Sequence, residues 1–190
     1  ERIDAAARTY KALSSSDPRA KRSEIRSALA LLITRRTVNM RSATYDQMVS
    51  SGHLQLITNH ELRNEIVRFF AEMERNEQIM NNNNRELIDD VFVPFVMRIG
   101  VSALVQPDVT QVTTTLNRSN AIVYERLGSE FSLPEDRVLL EPAEAESWND
   151  MRRNVLFRMR IAAAGLSLTE STLDQISDIA TAIDAELHDS

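Results

Sequence analysis

The chain has 190 residues, of which 43% are hydrophobic and 26% charged, and a net charge of −6. Four Gly and five Pro are too few for the many tight turns of an all-β fold, and the lack of Cys excludes disulfides, thiolate metal sites and cysteine nucleophiles. A chain of this length buries one substantial core, so the expectation is a single domain over residues 1–190, all-α in class.

In chain order, the first helix is expected from about Ile3 to Leu13, ending in Ser14, Ser15 and Ser16. Asp17 and Pro18 supply an N-cap and a first-turn proline for a second helix. Ile25, Leu29, Leu32, Arg36, Met40, Ala43 and Gln47 follow the ~3.6-residue period with no breaker before Gly52, which predicts one helix of about thirty residues. It turns at Ser51 and Gly52, passes Leu54, Leu56 and Ile57, and restarts at Thr58, which with Glu61 has the spacing of a capping box. Leu62, Ile66, Phe69, Phe70, Met73, Ile79 and Met80 form the next apolar face, resumed by Leu87, Ile88, Val91, Phe92 and Phe95. Between them Asn81 to Asn84 are poor helix formers, but the periodicity on both sides favours a continuous or slightly bent helix. Pro94 and Gly100 are expected to bend and end it.

Val101 to Glu146 is the least legible stretch, with a short helix over Arg118 to Leu127 and a second capping-box signal at Ser132 and Glu135. Trp148, Met151, Val155, Met159, Ala162 and Leu166 then make one stripe, with a stop expected at Gly165 and Ser167. Ser167 and Glu170 form a third capping box, after which Leu173, Ile176, Ala180, Ile183 and Leu187 make a heptad-like seam. The predicted architecture is an elongated antiparallel helical bundle with a long helical hairpin, completed by a C-terminal helix pair.

Charge is unevenly spread. Residues 1–41 hold ten Lys or Arg against four acids, net +6, which leaves twelve basic and twenty-four acidic residues for the remainder. Ser167 to Ser190 contains six acids and no Lys or Arg, so it is expected to pack near the basic N-terminal helix. The basic residues Arg19, Lys21, Arg22, Arg26, Arg35, Arg36 and Arg41 do not share one face, which argues for ion pairing over nucleic-acid binding and leaves acidic lipid as a minor alternative.

Residues capable of chemistry are sparse. His60 and Glu61 begin a zincin-like pattern, but Asn64 stands where the second ligand belongs, and no Glu-x-x-His, phosphate-binding or nucleophile-elbow motif occurs. His53, His60 and His188 read as turn and surface residues. Glu86, Asp89 and Asp90 beside Arg85 read as a solvated face, and Trp148, Phe69, Phe70 and Phe157 as core. The expectation is a protein that is not an enzyme, with no catalytic, metal or cofactor residue and no cofactor.

The stretch Thr44 to Phe70 resembles the pattern Tyr-x-x-Leu-x-x-Ser-Gly-x-Leu-x-x-Ile-x-Asn-x-Glu-Leu-Arg of an uncharacterised bacterial family of membrane-anchored helical domains. Tyr45, Ser51, Gly52, Leu54, Ile57, Asn59, Glu61, Leu62 and Arg63 match it, and Met48 replaces the usual Leu. The helices from Trp148 to Leu187 are also similar, an Arg-rich part followed by an acidic one. The resemblance implies a transmembrane helix before the domain, consistent with a chain that opens at Glu1 within a helical pattern, and the extracytoplasmic (periplasmic) face of a bacterial inner membrane. The basic N-terminal third runs against it, since Lys and Arg beside a span favour the cytoplasmic side.

The functional expectation is a non-enzymatic extracytoplasmic scaffold or protein-interaction domain. Its partners would be a protein and, through the missing N-terminal segment, the membrane, with no nucleic acid and with a homo-oligomer left open. The alternative is a small-molecule sensor domain of a membrane-tethered receptor, for which His53, Asn81 to Asn84 and Arg36 are candidate polar residues of an interhelical site.

Overall fold

The computed structural model describes residues 2–35, 39, 42–101, 115–127, 137–142 and 145–188. The architecture is an all-α helical bundle. Its helices are α1 (Arg2–Leu13), α2 (Arg22–Leu32), α3 (Ala43–Ser50), α4 (His60–Asn82), α5 (Val93–Arg98), α6 (Thr115–Leu127) and α7 (Glu146–His188). The chain forms two compact units: a core unit of residues 1–35 and 85–162, and a groove unit of residues 36–84 and 163–190.

In the core unit, α1 presents Ala5, Ala6 and Ala12, all but inaccessible to solvent, so its backbone lies close to α2. Ile25, Leu29 and Leu32 of α2, Phe92, Phe95 and Val96, Val138 and Leu139, and Trp148, Met151 and Val155 of α7 complete one continuous core. Trp148 is fully buried and its indole Nε1–H donates to the Pro142 carbonyl at 2.9 Å, so the largest core side chain leaves no polar atom unsatisfied. Thr9, also fully buried, donates its hydroxyl to the Ala5 carbonyl at 2.7 Å.

The thirty-residue second helix is not formed. Pro18 leads into one turn of 3-10 helix at Arg19–Lys21, and α2 stops at Leu32. The Thr34 amide and hydroxyl both donate to the Leu31 carbonyl, at 3.1 and 2.6 Å. The Arg158 guanidinium, from α7, donates to the Leu32 and Thr34 carbonyls at 2.9 and 3.3 Å. These are acceptors that a continuing helix would give to its own later amides, so the break is stabilised from outside the segment. A new helix starts where the Ser42 hydroxyl accepts from the Tyr45 amide. The first arm of the hairpin is therefore the eight-residue α3. Arg36, Met40 and Arg41 lie outside the described residues.

The turn itself forms as expected: Gly52 takes φ +74°, the left-handed conformation that costs glycine least, and a 3-10 turn follows at His53–Leu56. The cap of α4 differs from expectation by one residue. Asn59 Oδ1 accepts from the Glu61 and Leu62 amides, both at 3.1 Å, while the Thr58 hydroxyl donates to Glu186. A single side chain, Asn59, thus takes the two first-turn amides that it caps.

Asn81 to Asn84 do not break the helix. Backbone continues from α4 into a π-helical segment, Asn83–Phe92, and then into α5, with Pro94 in its first turn. Gly100, at φ +70°, follows its end. The helix expected from Arg118 begins at Thr115. The capping-box signal at Ser132 and Glu135, and most of Val101 to Thr114, lie outside the described residues.

The C-terminal helix pair is a single 43-residue helix, α7. Gly165 is helical, and a Cβ placed on it would meet Met80 Cε at 3.9 Å, an ordinary packing distance. Ser167 and Glu170, the expected capping box, lie inside this helix, and Thr169, Thr172 and Thr181 return their hydroxyls to carbonyls four residues back. The acidic stretch expected beside the basic N-terminal helix belongs to the groove unit, whereas α1 and α2 belong to the core unit.

Two outcomes test this architecture. Arg158→Met leaves the buried Leu32 carbonyl and the half-buried Thr34 carbonyl without this donor and should lower unfolding free energy by about 2–4 kcal/mol in urea titrations. Arg158→Lys, with one compact ammonium, should recover only part of that loss. Gly165→Ala should stabilise the protein by about 0.5–1 kcal/mol, because the site is mid-helix and has room for a methyl group; a left-handed stop at Gly165 would make the same change destabilising.

Candidate functional site

The groove unit buries its apolar side chains far less completely than the core unit. Among the described residues its buried apolar side chains are Leu62, Ile66 and Phe69, beside the polar Thr172, whereas Leu56 is 75%, Leu173 59% and Ile176 45% exposed. Leu56, Leu62, Ile66, Phe69 and Ile176 line an open groove of about 630 Å³.

Three sequence features shape it. The α3 helix contributes Tyr45 and Met48, with Tyr45 stacked on Phe70 of α4 at 3.8 Å between ring centroids and 12° between planes. Phe69 meets Phe70 edge-on at 5.1 Å. The turn after Gly52 adds Leu56 and Ile57, and α4 adds Leu62, Ile66 and Phe69 on the stripe predicted from its periodicity. The seam of α7 supplies Ile176, Ile179, Ala180 and Ile183. Part of that seam is thus a groove wall and not a sealed interface: Ile176 and Ile183 stay more than a third exposed.

Among the described residues, the lining side chains with polar atoms are Ser42, Thr44, Tyr45, Thr58 and Glu186. The Glu186 carboxylate accepts from Thr58 Oγ1 at 3.2 Å and Asn59 Nδ2 at 3.0 Å, which holds it at the N-terminal end of α4. There the positive end of the helix dipole favours a carboxylate. Beyond Tyr45 and Phe70, Asp46, Glu74 and Glu77 line an adjoining hollow. On the opposite flank, Glu65, Glu72 and Asp178, with Arg68 among them, surround a smaller depression, where Gln175 Nε2 donates to Glu72 at 2.8 Å.

The polar candidates from the sequence do not converge here. His53 sits exposed on the 3-10 turn, Asn81 to Asn84 lie further along the helix, neither lines the groove, and Arg36 lies outside the described residues. His60 contacts the Arg63 guanidinium, and His188 Nδ1 lies 2.7 Å from the Asp184 carbonyl oxygen. The cluster at Arg85 is ion-paired surface: Arg85 meets Glu86 at 3.5 Å, and Asp89 pairs with Arg35. Among the described residues, no group of three or more His, Cys, Asp or Glu side chains is arranged to hold a metal, and no helix is long and apolar enough to cross a membrane.

Burial pushes the Arg158 guanidinium down to about 10, with the nearby Arg2 charge adding to the effect. Its folded-state value therefore lies below the unfolded one, so the burial cost is constant at neutral pH and is relieved only as pH rises through about 10. Arg158 stays a cation under ordinary conditions and has a structural role.

Searches against protein-family models, curated proteins and solved structures find no match to this chain.

The groove rests on the α4 cap, which can be tested directly. Asn59→Ala should cost about 1 kcal/mol in denaturant unfolding, while Thr58→Ala should cost only a few tenths, since the cap survives. Equal losses would return the capping role to Thr58.

Proposed function

We propose that this chain is a non-enzymatic protein-interaction domain, a scaffold of a membrane-anchored bacterial protein that faces the periplasm. The observation that carries the interaction role is the groove itself: a concave, nearly all-apolar surface left uncovered between α3, α4 and the acidic half of α7. Soluble domains rarely leave contiguous apolar surface without a use, and grooves between helices accept the apolar face of another helix. The lining converges no polar groups of the kind that acid–base or nucleophilic chemistry requires, which favours binding over reaction. The anchored, periplasmic placement is supported by the resemblance of Tyr45, Gly52, Asn59 and Leu62 to the membrane-anchored family.

A second reading, the small-molecule sensor, draws support from groove volume, since about 630 Å³ is ordinary for a ligand site. A photoreactive phenylalanine analogue in place of Leu56, at the exposed lip, separates the two. In cells producing the full-length protein it should give a discrete protein adduct that disappears when Ile176→Asp is added. No adduct, together with a lipophilic small molecule retained on the purified protein in native mass spectrometry, would overturn the interaction role in favour of the sensor. Protease added to intact spheroplasts should digest the domain, and protection would overturn the periplasmic placement.

A further inference from the structure

Resting on the docking role proposed above, we infer that the occupant of the groove is a basic amphipathic helix of a partner protein, about four to five turns long, with cations at both ends. Charge complementarity selects the sign. Residues 36–84 and 163–190 together carry five Arg against twelve Asp or Glu, net −7, whereas the core unit carries seventeen basic and sixteen acidic residues, net +1. The acidity of the whole chain is therefore concentrated in the unit that bears the groove. From Ser167 onward no Lys or Arg offsets it.

Position along α4 selects the length. Glu186 is fixed at Asn59, and Glu74 and Glu77 stand fifteen and eighteen residues further on. At 1.5 Å per residue these carboxylates are spread over about 22–27 Å of helix axis. Between them the apolar floor from Leu62 to Phe70, and the facing wall from Ile176 to Ile183, each cover about two turns. A helix lying along α4 thus meets acid, apolar groove and acid in that order. Its matching sequence has a central i, i+4, i+7 set of large apolar residues, flanked on each side by Lys or Arg.

A second copy of this chain is a poorer occupant. Its own basic stretch is residues 1–41, and the apolar face of the helix there, Ile25, Leu29 and Leu32, is fully buried in the core unit. An acidic helix is poorer still, because it would set like charges beside Glu186 at one end and Asp46, Glu74 and Glu77 at the other.

The test uses the 190-residue chain and three fluorescein-labelled synthetic helices of about 18 residues. One has a central Leu triplet and Lys at both ends, the second replaces Lys by Glu, and the third keeps Lys but replaces Leu by Ser. By fluorescence anisotropy the Lys and Leu peptide should bind at least about tenfold more tightly than its Glu counterpart, and the advantage should shrink as salt rises from about 50 to about 500 mM. The Ser peptide should bind far more weakly than the Lys and Leu one. Ile176→Asp should abolish binding and Glu186→Gln should weaken it several-fold, with helical circular dichroism unchanged. Leu173→Asp, exposed and outside the groove lining, should leave binding unchanged. Equal affinity for the Lys and Glu peptides would overturn the basic partner while leaving the docking role intact. Failure of every peptide would overturn the docking role as well. Self-association of the chain in sedimentation, relieved by Ile176→Asp, would assign the groove to a second copy and overturn the partner inference.

Discussion

The core unit depends on how two helices are stopped. An α-helix leaves its last carbonyls without intrahelical partners, and inside a packed core water is not there to take them. Here the donors come from a third helix: Arg152 of α7 reaches the Leu13 carbonyl at the end of α1, at 2.7 Å, and Arg158 reaches Leu32 and Thr34 at the end of α2. Two guanidiniums on one helix therefore fix where two others finish. The cost of burying the Arg158 charge is offset by bonds that nothing else nearby is shown to supply. This also sets the start of the groove unit, because the chain that leaves α2 at Leu32 is free to begin a new helix at Ser42 and so to place Tyr45 against Phe70.

The hairpin stretch serves turn and surface together. Ser51 bonds back to the Gln47 carbonyl, Gly52 provides the left-handed residue and Asn59 caps α4, while Tyr45, Met48, Ile57 and Leu62 of the same stretch line the groove. A segment whose backbone signals are strong enough to fix a turn in isolation also holds the groove side chains at fixed spacing. The Tyr45 and Phe70 stack ties the two arms, so the width of the groove is set by ring contact as well as by helix packing.

What could be read from the sequence follows from the range of the forces involved. Class, the end of α1, the turn at Gly52, the continuity of helix through Asn81 to Asn84 and the core role of Trp148 are local or periodic signals, and the structure carries each of them. The break after Leu32 was not legible, because its decisive donor lies 126 residues away and the periodic stripe ran past the break unbroken. Gly165 looked like a stop because glycine is a weak helix former, yet the helix continues through it, with Met80 beside it and Thr169 bonded back to its carbonyl. Thr58 and Asn59 both suit an N-cap and both donate to Glu186, and it is the acceptance of the Glu61 and Leu62 amides by Asn59 Oδ1 that separates their roles. The α7 seam was visible as apolar spacing. Its exposure was not, because a groove is the space left between four segments and belongs to none of them.

The composition of the groove unit has a consequence for the order of events on the ribosome. Residues 36–84 are made early, but the wall they pack against begins at Ala163. Leu62, Ile66 and Phe69 therefore wait, uncovered, while the intervening residues are synthesised, and the Thr58 contact to Glu186 closes a loop of 128 residues. Nascent chains at that stage offer an open apolar helix to any chaperone at the exit site. The core unit draws on α7 up to Ala162 and can consolidate first, leaving the apolar groove as the last part of the molecule to take shape.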